Sequence, residues 1–213
     1  MTRANRLAVV LALNVVLVTG LVVVGLTAHS LGVLAAGADY IADAAAIGVS
    51  LLAIRLSTRP PTPRRPHGYP KATALAASIN GGWLLILSLL VIAGALDRLA
   101  TGAPRVDGLP VLIVSGVASI VMVVGVVILG GDVDADDDVG GDLNTRAVLL
   151  DTAADAAAAA GVAITGGVIL ATGGFYWLDP TAALVIAIVV GYHAVVLLKD
   201  VVRTLRRQPQ RQR

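Results

Sequence analysis

The sequence predicts an all-α integral membrane protein, a bundle of six transmembrane helices. Hydrophobic residues make up 57% of the 213 residues and charged residues only 14%, and the mean hydropathy is +0.86. Soluble domains carry nearer a quarter charged residues, so this chain is too apolar to be one. Six apolar segments are each long enough to cross a bilayer, which takes about 20 helical residues. Nearly the whole chain is therefore committed to one bundle.

The six predicted helices are separated by breaks that are polar or rich in Gly and Pro. The N-terminal apolar run continues without a cleavage site, so we expect it to be a first transmembrane helix and not a signal peptide. The Pro-rich segment 55–71 cannot cross the membrane, because proline interrupts helical hydrogen bonding. The segment 130–144 is rich in Asp and Gly. The predicted helices cover 7–26, 31–56, 72–96, 109–129, 146–171 and 181–198.

The basic residues are divided unequally between the two sides of the predicted membrane. Both termini and the 2–3 and 4–5 loops would lie on one side, which then holds all of the 16 Lys and Arg residues except Arg98 and Arg105. Cytoplasmic loops carry such an excess of positive charge. We therefore expect a multi-pass protein of the cell's inner (plasma) membrane with both termini in the cytoplasm. The basic C-terminal residues are expected to contact anionic membrane lipid and not nucleic acid.

Two matching pairs of aspartates lie inside predicted helices 2 and 5: Asp39 with Asp43, and Asp151 with Asp155. A spacing of four residues is about one helical turn, so both carboxylates of a pair project from the same face. An ionised carboxylate inside a bilayer costs a few kcal/mol, which makes such a residue a candidate functional site. The small residues around Asp155 would let helix 5 pack closely in the bundle, with its Asp pair facing helix 2.

Four carboxylates on two neighbouring helices are suited to binding one divalent cation. Carboxylate oxygens are hard ligands that favour Mg, Mn, Ca and Fe(II), although Zn also accepts them. No His lies inside the pairs and the chain has no Cys, so selection of a soft metal is not expected. Protons and metal would compete for the same carboxylates, which is the minimal machinery of a cation/proton antiporter.

Residues 29–43, from His-Ser-Leu-Gly to Asp-Tyr-Ile-Ala-Asp, resemble the second-helix signature of the cation diffusion facilitator (CDF) family of divalent metal transporters. Further similar segments follow in order along the chain: the loop 59–69, Ser-Ile-Asn-Gly at 78–81, Arg-Val-Asp-Gly at 105–108 and Leu-Asp-Pro at 178–180. The resemblance implies six helices, a homodimer and export of a divalent metal in exchange for protons. It also implies that the metal ligands are Asp39, Asp43, Asp151 and Asp155.

The predicted metal depends on a difference from the family pattern. Many zinc-exporting members carry His at the positions of Asp39 and Asp151, whereas an all-Asp site is similar to the manganese-transporting branch. We therefore expect a transporter, not an enzyme, that slightly favours Mn or Fe(II) over Zn and carries the ion as cargo, with no cofactor. The loop sequences look more like those of zinc exporters, so a Zn or Cd exporter remains an alternative.

Most CDF members continue into a cytoplasmic domain that dimerises. Because this sequence stops at Arg213, we expect a transport domain over 1–200, a basic cytoplasmic tail over 201–213 and no C-terminal cytoplasmic domain. The alternative from another class is a metal-dependent integral membrane enzyme, such as a lipid-headgroup transferase. That family needs further Asp, Gly and Arg residues at fixed spacing before its Asp pair, and no such arrangement precedes Asp39. A passive channel or a sensing homologue is a third possibility.

Overall fold

The computed structural model describes residues 16–42, 45, 72–133 and 142–207, and the structural statements below concern these residues. These residues are almost entirely helical, with no strand among them, which confirms the all-α prediction. The helices are α1 (Val16–Thr27), α2 (Leu31–Ala42), α3 (Ala72–Thr101), α4 (Gly108–Val133), α5 (Asp142–Thr172) and α6 (Leu178–Arg207).

Three helices are long and apolar enough to cross a membrane, over Ala74–Thr101, Thr152–Thr172 and Leu178–Arg203. The described parts of the other three helices contain shorter apolar stretches, Val16–Thr27, Leu31–Ala42 and Gly108–Val124. Large apolar side chains are exposed on the helices, as expected for surfaces that face lipid and not water; examples are Leu90, Ile120 and Ile164.

Helices α3 to α6 all extend beyond their predicted ends, and α3 and α6 extend into charged residues. α3 continues past residue 96 to Thr101, so Arg98 lies on its last turn and not in a loop. α6 covers Leu178–Arg207, whereas 181–198 was predicted. Hydropathy marks where a helix leaves the apolar layer, not where its backbone hydrogen bonding ends. The Asp179-Pro180 pair suits a first helical turn, because proline needs no donor there and a carboxylate is stabilised near a helix N-terminus.

The chain divides into two compact units. Unit 1 comprises Met1–Gly37 and Gly94–Ile186, and unit 2 comprises Ala38–Ala93 and Ala187–Arg213. Within unit 2, α3 and α6 contact each other at a glycine of each helix. A Cβ atom at position 81 would lie 3.0 Å from Cγ of Leu198, and one at position 191 would lie 3.2 Å from Cβ of Ser88.

In unit 1, α4 and α5 approach each other closely at two glycines. A Cβ atom at position 108 would lie 2.5 Å from the carbonyl oxygen of Gly166, and one at position 166 would lie 2.7 Å from the backbone nitrogen of Leu112. Only glycine fits at such a contact, because its backbone has no Cβ. Further along, Ser119 Oγ donates a hydrogen bond to the carbonyl oxygen of Ala156 at 3.2 Å.

The small residues of α5 form much of its buried face. Ala156, Ala159 and Val162 are at most 6% exposed, and Ala163 and Ile169 are also buried. Most of these positions are three or four residues apart, so they form one stripe along the helix. This confirms the prediction that small side chains allow α5 to pack closely against its neighbours.

Candidate functional site

The predicted metal ligands are only partly covered by the described residues. Asp39 lies on α2 and Asp155 on α5, and both side chains are half-buried. Asp43 and the side chain of Asp151 lie outside the description. Within the described part of the chain, no group of three or more His, Asp or Glu side chains is arranged to hold a metal ion. The four-carboxylate site therefore stays a prediction.

In unit 1, the first turn of α2 contacts α5. A Cβ atom at position 32 would lie 3.4 Å from both methyl carbons of Val162. Asp39 comes seven residues after Gly32, and Asp155 comes seven residues before Val162. Seven residues are nearly two helical turns. Each aspartate is therefore on the same face of its own helix as the residue that makes this contact.

The same end of unit 1 contains a cluster that the sequence did not predict. Its centre is Asp179 on the first turn of α6, whose side chain is fully buried. Ser30 Oγ donates to Asp179 Oδ1 at 2.5 Å. The backbone N–H of Leu31 donates to Oδ2 at 2.6 Å, and that of Gly32 donates to Oδ1 at 3.2 Å. Arg98 Nη1 lies 3.8 Å from Oδ2. These residues are called the Asp179 cluster below.

The Asp179 cluster supplies hydrogen-bond acceptors for the unpaired backbone N–H groups at the N-terminus of α2. The first N–H groups of any helix have no partner within the helix, and its N-terminus carries a partial positive charge. Ser30 Oγ accepts a hydrogen bond from the backbone N–H of Val33 at 3.1 Å, which is a helix N-cap. The Asp179 carboxylate accepts hydrogen bonds from the backbone N–H groups of Leu31 and Gly32, the other two N–H groups in this first turn. Two helices far apart in sequence are thereby joined at their starts.

Arg98 and Asp107 attach the turn between α1 and α2 to the rest of unit 1. Arg98 Nη1 donates to the carbonyl oxygen of His29 at 2.7 Å. His29 has a φ of 57°, which lies in the left-handed region that residues other than glycine rarely adopt. The backbone N–H of Asp107 donates to the carbonyl oxygen of Ala28 at 3.2 Å. The turn is thus held from α3 and from the residue before α4.

The sequence contained partial signals for the Asp179 cluster. A Ser before an apolar helix is a typical N-cap, and Asp-Pro is typical of a helix start. Neither signal says that Ser30 and Asp179, which are 149 residues apart, form a hydrogen bond. Arg98 was assigned to a polar loop because the sequence places it at the end of an apolar run.

Several long apolar helices in one chain are typical of a polytopic membrane protein. Residues 7–206 match the sequence profile of the cation efflux transmembrane domain. The chain belongs to this cation efflux family, which is a family of transporters and not of enzymes. This confirms the CDF resemblance.

Three relatives illustrate the similarity. The cadmium, cobalt and zinc/H(+)-K(+) antiporter of Bacillus velezensis is 28% identical over 205 residues, which cover 92% of this chain and 62% of the relative. The zinc transporter ZitB of Escherichia coli is 31% identical over 187 residues, which cover 86% of this chain and 56% of ZitB. The human proton-coupled zinc antiporter SLC30A2 is 27% identical over 211 residues, which cover 94% of this chain and 55% of the relative. This chain thus spans less than two thirds of the length of these relatives.

Proposed function

We propose that this protein exports a divalent metal cation from the cytoplasm in exchange for protons, through a site formed by Asp39, Asp43, Asp151 and Asp155. It would act in the plasma membrane with both termini in the cytoplasm. Membership of the cation efflux family supports this proposal, as do relatives whose names describe proton-coupled antiporters. The resemblance to CDF transporters further supports a homodimer, which light scattering of the protein in detergent would test.

The two matching pairs of aspartates are the observation that carries the site assignment. The spacing of four residues, from Asp39 to Asp43 and from Asp151 to Asp155, predicts that both carboxylates of a pair project from one face of their helix. Acidic residues inside apolar helices are costly unless they have a function, which supports both pairs as parts of the metal site.

Proton exchange follows from the charge of such a site. Four ionised carboxylates exceed the charge of one divalent cation, and like charges in a low dielectric repel each other strongly. In the metal-free site some of the carboxyl groups would therefore hold protons and release them when metal binds. The site would open to the cytoplasm, take up metal, reorient and release the metal as protons return.

Two groups of metals are candidates for the transported ion. The all-oxygen donor set slightly favours Mn or Fe(II) over Zn. A second candidate, Zn or Cd, is favoured by the relatives, which are named for zinc, cadmium and cobalt. Competition between metals would distinguish the two: excess Mn should suppress Zn flux more than excess Zn suppresses Mn flux if the donor set decides the selectivity.

Metal flux into proteoliposomes tests the proposal. Mn, Fe(II), Zn and Cd would each be measured with an imposed proton gradient and again after an ionophore has dissipated it. Antiport predicts that the gradient drives metal uptake and that uptake falls when the gradient is removed. Flux that is independent of the gradient would indicate a passive channel instead. No flux for any of the four metals would contradict the proposal.

A further inference from the structure

We infer that the Asp179 cluster is a fixed joint that stays closed throughout the transport cycle, so that the starts of α2 and α6 and the end of α3 move together. The inference rests on the proposed function in one respect, because it concerns the conformational change that transport requires. Asp179 is accordingly a positioning residue that acts through α2, and not a metal ligand.

Asp179 has several hydrogen-bond partners in a buried position. Its carboxylate is fully buried and accepts three hydrogen bonds, from Ser30, Leu31 and Gly32. Hydrogen bonds to an ionised group are about twice as strong as those between neutral groups. Separation of α2 from α6 would leave a buried charge without these donors, which is strongly unfavourable. A contact of this kind is unsuited to opening in each transport cycle.

The Asp179 cluster also connects several segments of the chain and leaves little free space between them. Ser30 Oγ donates to Asp179 while it caps α2 through Val33. Arg98 joins the end of α3 both to Asp179 and to the carbonyl oxygen of His29. A Cβ atom at position 32 would lie 3.2 Å from Asp179 Oδ1 and 3.4 Å from Val162. Sliding of one segment would therefore disturb all of the others.

An exposed ion pair on α6 shows the contrast. Arg203 donates to Asp200 at 3.4 Å, but their side chains are 73% and 62% exposed. Water replaces the partner when such a pair separates, so it opens at little cost. Water cannot replace the hydrogen-bond donors of Asp179 in this way, because the side chain of Asp179 is fully buried. The end of α2 near Ser30 is thus held, and any movement of α2 that accompanies metal exchange must begin beyond this end.

Cross-linking within unit 1 tests whether the joint stays closed. The sequence has no cysteine, so introduced thiols are the only ones present. A Cβ atom at position 94 would lie 3.8 Å from Cδ2 of Leu31, with only that side chain within 4 Å. The double variant Leu31→Cys/Gly94→Cys would be treated with a short bis-methanethiosulfonate reagent, and the cross-linked fraction would be measured by intact mass. The single variants Leu31→Cys and Gly94→Cys control for modification without a bridge.

A fixed joint predicts the same cross-linked fraction with saturating Zn, with Mn and with chelator. Metal flux of the bridged double variant should change by less than about twofold when the bridge is reduced, because a joint that never opens is not hindered by a tether. A cross-linked fraction that depends on metal would overturn the inference. So would flux that is lost on cross-linking and restored on reduction, provided that both single variants retain flux.

Hydrogen exchange on the unmodified chain provides a second measurement that does not depend on transport. The backbone N–H groups of Leu31 and Gly32 donate to Asp179, so they should exchange slowly and at the same rate with and without metal. Faster exchange of these two groups in one of the conditions would show that the joint opens. If the protein moves no metal at all, the proposed function fails, while the exchange rates still decide whether the joint is fixed.

Discussion

Replacement of Asp179 by Asn tests how much the buried cluster stabilises the fold. The amide keeps one acceptor oxygen but replaces the other with a donor, while three donors and Arg98 still face the group. At least one hydrogen bond to a charged acceptor is lost, which is worth about 1.5–3 kcal/mol. Arg98 also loses its buried partner. Together these losses predict a destabilisation of about 3 kcal/mol.

Thermal unfolding in detergent, followed by the fluorescence of Trp83 and Trp177, measures this effect. For a chain of this size, 1 kcal/mol corresponds to about 2–4 °C, so Asp179→Asn should lower the Tm by about 6–12 °C. Asp200→Asn is the matched control: it makes the same substitution on the same helix, at a carboxylate that is 62% exposed. It should shift the Tm by no more than about 2 °C. Equal shifts for the two variants would refute the assigned role of Asp179.

Two further substitutions test the packing and the backbone of unit 1. Gly166→Ala should destabilise the protein by about 1–3 kcal/mol, because the new Cβ would lie 2.7 Å from the backbone nitrogen of Leu112. Gly161→Ala, on the same helix with nothing within 4 Å of its Cβ, should be neutral or stabilising by up to about 1 kcal/mol, and thermal unfolding would separate the two. His29→Gly relieves a left-handed backbone at an exposed residue, so both the Tm and metal flux should be retained. A loss of flux in His29→Gly would show instead that the imidazole takes part in the metal pathway.

The helices could be predicted from the sequence because apolar runs of spanning length have few alternatives in a membrane. The small residues of α5 likewise predicted close packing, and α5 buries Ala156 and Ala159 as expected. The helix ends were less accurate, since α3 and α6 continue into polar residues that hydropathy assigns to loops. Helical hydrogen bonding does not stop where the apolar layer ends.

The Asp179 cluster shows what a single sequence leaves out. The paired aspartates can be recognised in the sequence, because two acids one turn apart are a local pattern. Asp179 stands alone beside Pro180, and its partners on α2 and α3 lie far from it in the sequence. Only the fold brings Ser30, Arg98 and Asp179 together. A buried charge with distant partners is therefore invisible to local pattern reasoning.

The pair of variants Asp155→Asn and Asp200→Asn in the proteoliposome assay tests the central claim most directly. Asp155 is half-buried on α5, whereas Asp200 is an exposed carboxylate outside the proposed site. The proposed exchange predicts that Asp155→Asn folds normally but loses gradient-driven metal flux to the level of liposomes without protein, while Asp200→Asn transports like the wild type. If Asp155→Asn also transported like the wild type, the paired aspartates would not be the site at which metal and protons exchange.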